Sequence, residues 1–335
     1  MKQLKIVPGY VPKLSLRDTQ RAIKFVKDTF QRELAHRLNL QRISAPLIVE
    51  SSSGINDDLS GVERKVTFDL GATGTEAEVV QSLAKWKRMA LAQYGFGHGE
   101  GLYTDMSAIR RDDDMDNDHS IYVDQWDWEK IISPDERTEQ YLKDTVKMIV
   151  DALVAAKEKV QSEYPVLDAE LCSDCYFITS EQLRQQYPDL TAKERERAVT
   201  AERGTVFIMQ IGDKLGDGKP HDGRAPDYDD WALNGDLLFW DSVRGCPIEL
   251  SSMGIRVDAQ SLVRQLEAAG CTDRMRFDYH KAVAAGELPL TIGGGIGQSR
   301  MCMLLLEKMH VGEVQCSIWP KEMREKCAQA GVQLL

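Results

Sequence analysis

The chain has 335 residues, of which 42% are hydrophobic, enough for a sizeable core, and we expect one mixed domain over residues 1–335. Its 42 basic and 53 acidic residues give a net charge of −11, which disfavours a long nucleic-acid backbone as a partner for the whole surface. No apolar run approaches the roughly 20 residues of a membrane span. Met1–Lys5 lacks the apolar segment of a signal peptide, so we expect a cytoplasmic protein with no membrane partner.

Helix and strand patterns alternate in the first part of the chain. Apolar residues recur at three- and four-residue steps from Asp18 to Leu38, which predicts an amphipathic helix. A strand is expected over Ile43–Val49, and Pro46 confines it to a sheet edge or an interface because proline cannot donate to a strand ladder. A second helix is expected over Glu76–Leu91.

The second half of the chain combines one clear helix start with several short strands. Ser133, Pro134 and Glu136 form a capping box with proline in the first turn, which predicts the start of a third helix. The apolar stripe of this helix should face a core and consists of Leu142, Val146, Ile149, Leu153 and Val160. A later helix over Ala259–Ala269 should end at Gly270. Short β-rich runs lie at Val206–Ile211, Leu237–Trp240 and Ile248–Leu250. Without regular βαβ alternation, this order favours an antiparallel α+β sheet over a doubly wound one.

A glycine run near the C-terminus is the most informative local feature. Gly293–Gly297 leads into Gln298, Ser299 and Arg300 and then an apolar stretch, which predicts a glycine-rich turn opening a helix. The free N–H groups of a helix start, with an arginine beside them, suit a nucleotide phosphate. A dinucleotide-binding oxidoreductase is the alternative, but it needs a βαβ unit and a third glycine at Gln298, and neither is present.

Polar side chains alternate with aromatic ones over Tyr122–Glu129, so Gln125 and Asp127 should share one face of a strand. A paired amide and carboxylate suit an ammonium group. Arg110, on the preceding strand, suits a carboxylate or phosphate. The alternative is a solvated strand face with a surface ion cluster.

Two carboxylates are candidates for a metal site. Asp236 and Glu249 lie on consecutive predicted strands and could share a divalent cation, for which Mg²⁺ is the natural choice. The alternative is a cross-strand surface cluster.

Two short motifs carry little weight alone. Ser82 and Lys85 form a Ser-x-x-Lys pair, but the companion motifs of a serine nucleophile are missing. Cys172 and Cys175 form a lone Cys-x-x-Cys without partners at zinc spacing.

Taken in order, these motifs resemble those of class II aminoacyl-tRNA synthetases, nearest to the aspartyl and asparaginyl branch. The helix followed by Ile43–Pro46 also resembles the dimer-interface motif of that class. The whole chain resembles a narrower family, the ammonia-dependent aspartate–ammonia ligases. The segments that carry this resemblance are Asp58–Gly61, Ser82–Arg88, Gly99–Thr104, Tyr122–Glu129, Arg224–Trp231 and Glu249–Asp258.

The resemblance implies a six- to eight-stranded antiparallel sheet flanked by helices, a homodimer, and amidation of L-aspartate by ammonia. ATP would activate aspartate as β-aspartyl-AMP, with AMP and pyrophosphate as products. No tRNA partner is expected, because the chain is acidic and no anticodon-binding domain is recognisable. Glutamine-dependent synthesis is disfavoured because Met1–Gln3 offers no Cys or Ser nucleophile. A silent regulatory relative and a tRNA-charging enzyme remain as alternatives.

The resemblance also implies roles at the nucleotide end. Arg110 would bind the α-phosphate and β-carboxyl region, and Arg300 would stack on adenine or hold the γ-phosphate. Asp236 and Glu249 would bind Mg²⁺. The remaining expected ATP-binding positions are Ile121 and Gly295.

At the amino-acid end, the resemblance implies that Ser82, Gln125 and Asp127 hold the α-amino group and Lys87 the side-chain end of the substrate. Ser252 and Asp229 would line the same end. Asp57 is the first candidate for deprotonating ammonium and Asp229 the second.

Three departures from the related proteins stand out. Ala84 replaces the glutamine of the aspartyl branch, the segment Trp231–Asn234 is shorter than the expected glycine-bearing loop, and extra residues precede Asp18.

Overall fold

The structure is a computed structural model that describes residues 4–57, 59 and 63–335. Of the motif at 58–61, Asp58, Ser60 and Gly61 therefore lie outside the described residues, as do the first three residues of the chain. The helices are α1 (Leu16–Leu38), α2 (Ala84–Gln93), α3 (Glu139–Glu163), α4 (Ser180–Gln186), α5 (Ala192–Arg203), α6 (Ala259–Ala268), α7 (Asp278–Ala284), α8 (Gln298–Leu305) and α9 (Lys321–Gln329). Across the described part of the chain, none of them is both long and apolar enough to cross a membrane.

The strands are β1 (Leu40–Arg42), β2 (Ile48–Glu50), β3 (Thr67–Leu70), β4 (Thr75–Val79), β5 (Gly101–Ile109), β6 (Tyr122–Ile131), β7 (Cys175–Thr179), β8 (Thr205–Met209), β9 (Asp229–Asp241), β10 (Cys246–Arg256) and β11 (Thr291–Gly297). Eight of them form one sheet in the order β1-β5-β6-β11-β10-β9-β8-β7, and β2-β4-β3 form a small second sheet.

The α+β class is confirmed, but the large sheet is not wholly antiparallel. Its inner pairings, from β5 to β8, are antiparallel, whereas β1 runs parallel to β5 and β7 runs parallel to β8. Parallel neighbours need a long crossover. Helices α4 and α5 supply it between β7 and β8, and the small sheet with α2 supplies it between β1 and β5.

The main core lies where α1 and α3 pack against the sheet. Phe30 of α1 contacts Trp126 of β6, with ring centroids 4.9 Å apart, and Trp126 and Trp128 are fully buried. The predicted stripe on α3 is buried in the same cluster: Leu142, Val146, Ile149, Leu153 and Val160. Because successive strand residues point to opposite faces, the buried tryptophans place Gln125 and Asp127 on the other face of the sheet.

Two predicted elements in the first hundred residues are wrong in part. The predicted strand over Ile43–Val49 is replaced by β1 and β2 on either side of residues 43–47, an interval that contains Pro46. The predicted helix over Glu76–Leu91 begins only at Ala84, since Thr75–Val79 pairs with strands on both sides. Strand pairing with distant segments overrode the helical pattern there.

Two further predictions differ in the kind of element formed. The capping box at Ser133 forms, but on a short 3₁₀ turn, and α3 begins at Glu139 behind its own cap, Thr138. The expected loop at Trp231–Asn234 lies within β9, so this segment is a strand rather than a shortened lid.

Candidate active site

A cleft of about 830 Å³ opens on the face of the sheet that carries Gln125 and Asp127. Strands β6, β10 and β11 form its floor, and the segments around Asp57, Arg110 and Arg224 form its walls. Of the predicted site residues, those on the cleft surface are Asp57, Ser82, Lys87, Arg110, Gln125, Asp127, Asp229, Glu249, Ser252, Gly295 and Arg300. The structure therefore brings together residues from almost the whole length of the chain.

Two predicted ATP-site residues lie outside the lining of this cleft. Ile121 contacts Arg110 through the backbone, since its carbonyl accepts the Arg110 N–H at 2.9 Å. Asp236 lies behind Arg224, whose Nη2 donates to Asp236 Oδ1 at 2.7 Å.

The glycine run is a strand, not the predicted turn. Gly295 pairs with Asp127 on one side and Ser252 on the other. A Cβ at Gly295 would lie 2.5 Å from Gln125 Oε1 and 2.7 Å from Asp127 Oδ1. Glycine is needed here because polar side chains of β6 fold over β11, which is another use of glycine within a strand.

Helix α8 begins directly after this strand, as predicted, but its N-terminus already has a carboxylate partner. Asp124 Oδ1 accepts the backbone N–H of Ser299 at 3.1 Å, and its Oδ2 lies 3.1 Å from Lys27 Nζ of α1. The first turn of α8 therefore serves mainly to position Arg300 at the cleft.

A buried ion network lies beneath the amino-acid end. Arg256 Nη2 donates to Glu129 Oε2 at 2.7 Å, its Nε lies 3.0 Å from Glu129 Oε1, and its Nη1 donates to Asp229. Burial alone would raise the pKa of Glu129, but the Arg256 guanidinium outweighs it and holds that pKa below its usual range. For Asp229 burial dominates, and the pKa of that carboxyl is raised despite Arg256 and Arg224.

Lys87 is the cation that reaches from this network into the cleft. Its Nζ donates to the Gly294 carbonyl at 3.0 Å and lies 3.5 Å from Asp127 Oδ2 and 3.9 Å from Glu129 Oε2. Burial lowers the pKa of Lys87 although Asp127 pulls in the opposite direction. Ser82, beside it, caps the start of α2 by accepting the N–H of Ala84 at 3.2 Å.

Asp57 is a buried carboxylate with one oxygen unused. It is only 1% exposed, and its Oδ1 accepts the N–H of Leu59 at 3.0 Å. Its Oδ2 has no hydrogen-bond partner among the described residues. Burial raises the pKa of this carboxyl, although Lys85 and the Tyr228 hydroxyl favour its ionised form, so it takes up a proton more readily than an exposed aspartate does.

The nucleotide end presents two arginines that no carboxylate pairs with in the described structure. The guanidinium of Arg110 has no hydrogen bond or ion pair with any described residue, and its Nε is buried. Arg300 donates instead to two backbone carbonyls, Asp118 O at 3.1 Å and Glu249 O at 3.0 Å. Carbonyls orient a guanidinium without neutralising it, so both charges remain available to an anion.

Arg224 is a cleft residue that the sequence did not single out. It is buried, and it joins Asp236 to the hydroxyl of Ser252 through two donors. Burial and repulsion from Asp236 raise the pKa of Glu249, the other predicted metal ligand. The only signal in the sequence was an arginine at the head of a carboxylate-rich segment, which does not reveal its partners.

Asp116 and Asp118, two carboxylates that the sequence analysis did not single out, already have cationic partners within the protein. His119 Nδ1 lies 2.8 Å from both Asp116 Oδ1 and Asp118 Oδ1, and Arg244 Nη1 lies 2.6 Å from Asp118 Oδ2. Burial would lower the pKa of His119, but the hydrogen bonds to the two carboxylates outweigh it and raise that pKa. These contacts anchor the loop whose Asp118 carbonyl orients Arg300.

Solved structures share this fold. An asparaginyl-tRNA synthetase from Entamoeba histolytica in complex with asparaginyl-adenylate aligns with a TM-score of 0.63 at 18% identity, covering 90% of this chain and 66% of that one. An asparaginyl-tRNA synthetase from Pyrococcus horikoshii, also complexed with asparaginyl-adenylate, aligns at 0.65 and 14%, covering 90% of this chain and 70% of that one. The fold is that of a class II aminoacyl-tRNA synthetase catalytic domain, and this chain spans about two thirds of those synthetase chains.

Sequence relatives agree over nearly the full length. An aspartate–ammonia ligase from Ligilactobacillus salivarius is 57% identical, with 98% of this chain and 99% of the relative covered. One from Clostridium perfringens is 55% identical with all of both chains covered. The family model described as "Aspartate-ammonia ligase" matches residues 17–331, and the chain belongs to this family.

Proposed function

We propose that this cleft carries out the ATP-dependent amidation of L-aspartate by ammonia, by way of β-aspartyl-AMP. The observation that carries the proposal is that one cleft brings together two chemically different sets of side chains. Arginines without carboxylate partners among the described residues suit the phosphates of ATP, and buried carboxylates, an amide and a lysine suit aspartate and ammonium.

In the first half-reaction, the β-carboxylate of aspartate attacks the α-phosphorus of ATP, and the bond to pyrophosphate breaks. Negative charge gathers on the α-phosphate oxygens as this happens. Arg110 is suited to stabilise it because its guanidinium has no partner within the described protein to compete with phosphate. A preorganised donor of this kind contributes roughly 3–4 kcal/mol to a transition state.

Recognition of aspartate falls to the buried end. Asp127 and Gln125, folded over Gly295, supply a carboxylate and an amide oxygen for the α-amino group, with Ser82 and Asp229 beside them. Lys87 supplies the cation for a substrate carboxylate. Ser252, whose hydroxyl accepts a hydrogen bond from Arg224, forms part of the cleft floor.

In the second half-reaction, ammonium has to lose two protons while nitrogen replaces the phosphate oxygen on the carbon of the β-carboxyl group. Asp57 accepts the first proton and releases neutral ammonia, which forms the new C–N bond as the C–O bond to AMP breaks. The second proton leaves with the departing phosphate or passes to water. The unused Oδ2 of Asp57 supports this assignment, with Asp229 as the second candidate.

The carboxylates of Glu249 and Asp236 fit a magnesium ion that would accompany ATP. Both are hard oxygen donors: Glu249 lies on the cleft surface, and Asp236, on the neighbouring strand, would offer the oxygen that does not accept from Arg224. When bound, Mg²⁺ neutralises phosphate charge. Arg300, oriented by the Glu249 carbonyl, would bind the same phosphates or the adenine.

Further features of the proposal concern partners and location. We propose a homodimer, supported by the exposed apolar side chains of Leu47 and Ile48, which are 56% and 41% exposed. The net charge of −11 supports the absence of a tRNA partner. Buried, unoxidised thiols such as Cys302 and Cys327 suit the reducing cytoplasm.

The decisive experiment measures AMP and asparagine formed from ATP and aspartate, with and without ammonium, glutamine or tRNA. We expect both products only with ammonium, and no effect of tRNA. Aminoacylation of added tRNA, or AMP release without asparagine, would refute the proposal. Light scattering after size exclusion tests the dimer.

A further inference from the structure

Asn56, which the proposed reaction does not use, is a buried amide whose four hydrogen-bonding positions are all occupied. Its Nδ2 donates to Glu78 Oε2 at 2.9 Å and to the Val79 carbonyl at 3.0 Å, both on β4. Its Oδ1 accepts the backbone N–H of Asp57 at 3.0 Å and that of Gln81 at 2.8 Å. One side chain therefore joins the segment of Asp57 to β4 and to the segment that follows β4.

These partners require an amide at position 56. The backbone N–H groups of Asp57 and Gln81 can only donate, and the Val79 carbonyl and the Glu78 carboxylate accept. Among side chains of this length, asparagine alone offers two donors and two acceptors. Aspartate would turn an oxygen toward two acceptors, and alanine would leave buried N–H groups without a partner. A fully satisfied buried amide holds its neighbours at fixed distances.

The two segments that Asn56 joins both reach the cleft. Asp57 lies on the cleft lining, and Gln81 immediately precedes Ser82, which also lies on it. Asn56 and Gln81 themselves lie behind the lining. Gln81 adds a second link, because its Nε2 donates to the Asp57 carbonyl at 3.4 Å. The support is firm, since β4 pairs with β2 on one side and β3 on the other.

We propose that Asn56 is a positioning residue of the amidation step. It fixes the backbone of Asp57 against that of Gln81, so the carboxylate that takes a proton from ammonium is held at a constant separation from Ser82, which binds the substrate. The inference rests on the proposed function and on the role assigned there to Asp57. It explains how a carboxylate on an irregular segment is kept in place for proton transfer.

The test is asparagine formation by Asn56→Ala with aspartate and ATP saturating. The Asp57 carboxylate remains but is no longer held, and we expect kcat with ammonium to fall about tenfold, as small displacements of a reacting group do. ATP–pyrophosphate exchange and KM for ATP should change little, because Arg110 and Arg300 lie on other segments. Hydroxylamine is mostly uncharged at neutral pH and does not need the first deprotonation. It should give β-aspartyl hydroxamate at a nearly unchanged rate.

Double variants separate positioning from general damage. Asn56→Ala added to Asp57→Asn should cause no further loss with ammonium, because the carboxylate that Asn56 positions is already absent. Asn56→Asp should lose ammonium activity by turning an oxygen toward Glu78. Adding Glu78→Gln supplies a donor there and should recover part of that activity. This second pair also decides the matter if Asn56→Ala folds poorly.

Asn234→Ala is the matched control. Asn234 is another buried asparagine outside the cleft lining, and its amide bonds both the N–H of Ile211, at 2.9 Å, and its carbonyl, at 2.8 Å. The control should lose stability without changing the ratio of asparagine to hydroxamate formation.

Additive losses in Asn56→Ala with Asp57→Asn would overturn the inference. Equal losses with ammonium, with hydroxylamine and in pyrophosphate exchange would also overturn it, as would a normal ammonium step in Asp57→Asn. If the wild type makes no asparagine from ammonium, the proposed function fails instead.

Discussion

The two ends of the cleft differ in how their charges are satisfied. At the amino-acid end, Arg256, Glu129, Asp229 and Lys87 contact one another in a buried network. At the nucleotide end, Arg110 has no partner in the described structure and Arg300 is held only by carbonyls. The charges at the amino-acid end are paired with one another within the protein, whereas the arginines at the nucleotide end remain available to pair with the substrate.

The proposed binding of aspartate and ammonium at one end and ATP at the other accounts for this difference. Aspartate and ammonium are small, and a site that distinguishes them needs fixed oxygens and nitrogens at defined distances, which a buried network provides. ATP brings several negative charges of its own. Cations already paired with carboxylates would bind it weakly, so the protein leaves them unpaired.

Arg110→Ala should have the largest effect, because it removes the free cation of the nucleotide end. We expect ATP–pyrophosphate exchange with aspartate to fall by about 10²–10³-fold, the loss typical of one preorganised transition-state donor. Stability should be unchanged, since the side chain has no partner to lose. The exposed neighbour Arg111, replaced by Ala, is the control. Near-normal exchange in Arg110→Ala would remove this residue from the mechanism.

Asp57→Asn should affect the other end and the other half-reaction. We expect about a hundredfold loss in asparagine formation from ammonium, within the range for a lost general base, while pyrophosphate exchange continues. Rapid quench with preformed adenylate separates the two steps. An unchanged KM for ammonium together with an unchanged second step would transfer the role to Asp229.

Glu129→Gln should damage stability, because it leaves Arg256 partly unpaired in the interior. Breaking a buried ion pair costs about 3 kcal/mol or more, measurable by urea unfolding. The exposed pair of Asp273 and Arg276, whose side chains are 65% and 63% exposed, offers the contrast. Asp273→Asn should leave the free energy of unfolding unchanged. If Glu129→Gln also leaves it unchanged, the charges at the amino-acid end do not form the stabilising buried network described above.

Gly295→Ala should have the smallest effect and the most local one. Its Cβ would push Gln125 and Asp127 out of place, and we expect KM for aspartate to rise about tenfold, as small misplacements of binding groups do. KM for ATP should change little. Gly71→Ala is the control, because a Cβ there meets nothing within 4 Å. A KM for aspartate within twofold of wild type would contradict the folded-over arrangement of β6 and β11.

The sequence predicted best where the evidence is local. Alternation along Tyr122–Glu129 placed Gln125 and Asp127 on the strand face opposite the tryptophans, and the structure buries those tryptophans in the core. Apolar periodicity predicted α1 and α3, and Gly270 correctly ended α6. Each of these patterns depends on neighbours within one turn or one strand.

It predicted least where a residue's partner is distant. The run Gly293–Gly297 has the composition of a turn, and only its pairing with β6 and β10 makes it a strand. Asn56 and Gln81 lie 25 residues apart in the chain, and no local pattern joins them. For Arg224 the sequence offers several carboxylates as possible partners. The register of β9 and β10 determines that Asp236 is the one it pairs with.

The glycine strand has a consequence for mutagenesis. The cleft walls are made of side chains, which can be shortened or lengthened, whereas at Gly295 the floor is bare backbone and every replacement adds atoms. Gly293, on the same strand, does not line the cleft, but a Cβ there would lie 2.0 Å from Glu129 Oε2. A library of random variants selected for asparagine synthesis should therefore recover diverse residues around the rim, only alanine besides glycine at Gly295 and almost none at Gly293, so a search for altered substrates should vary the walls and keep the floor.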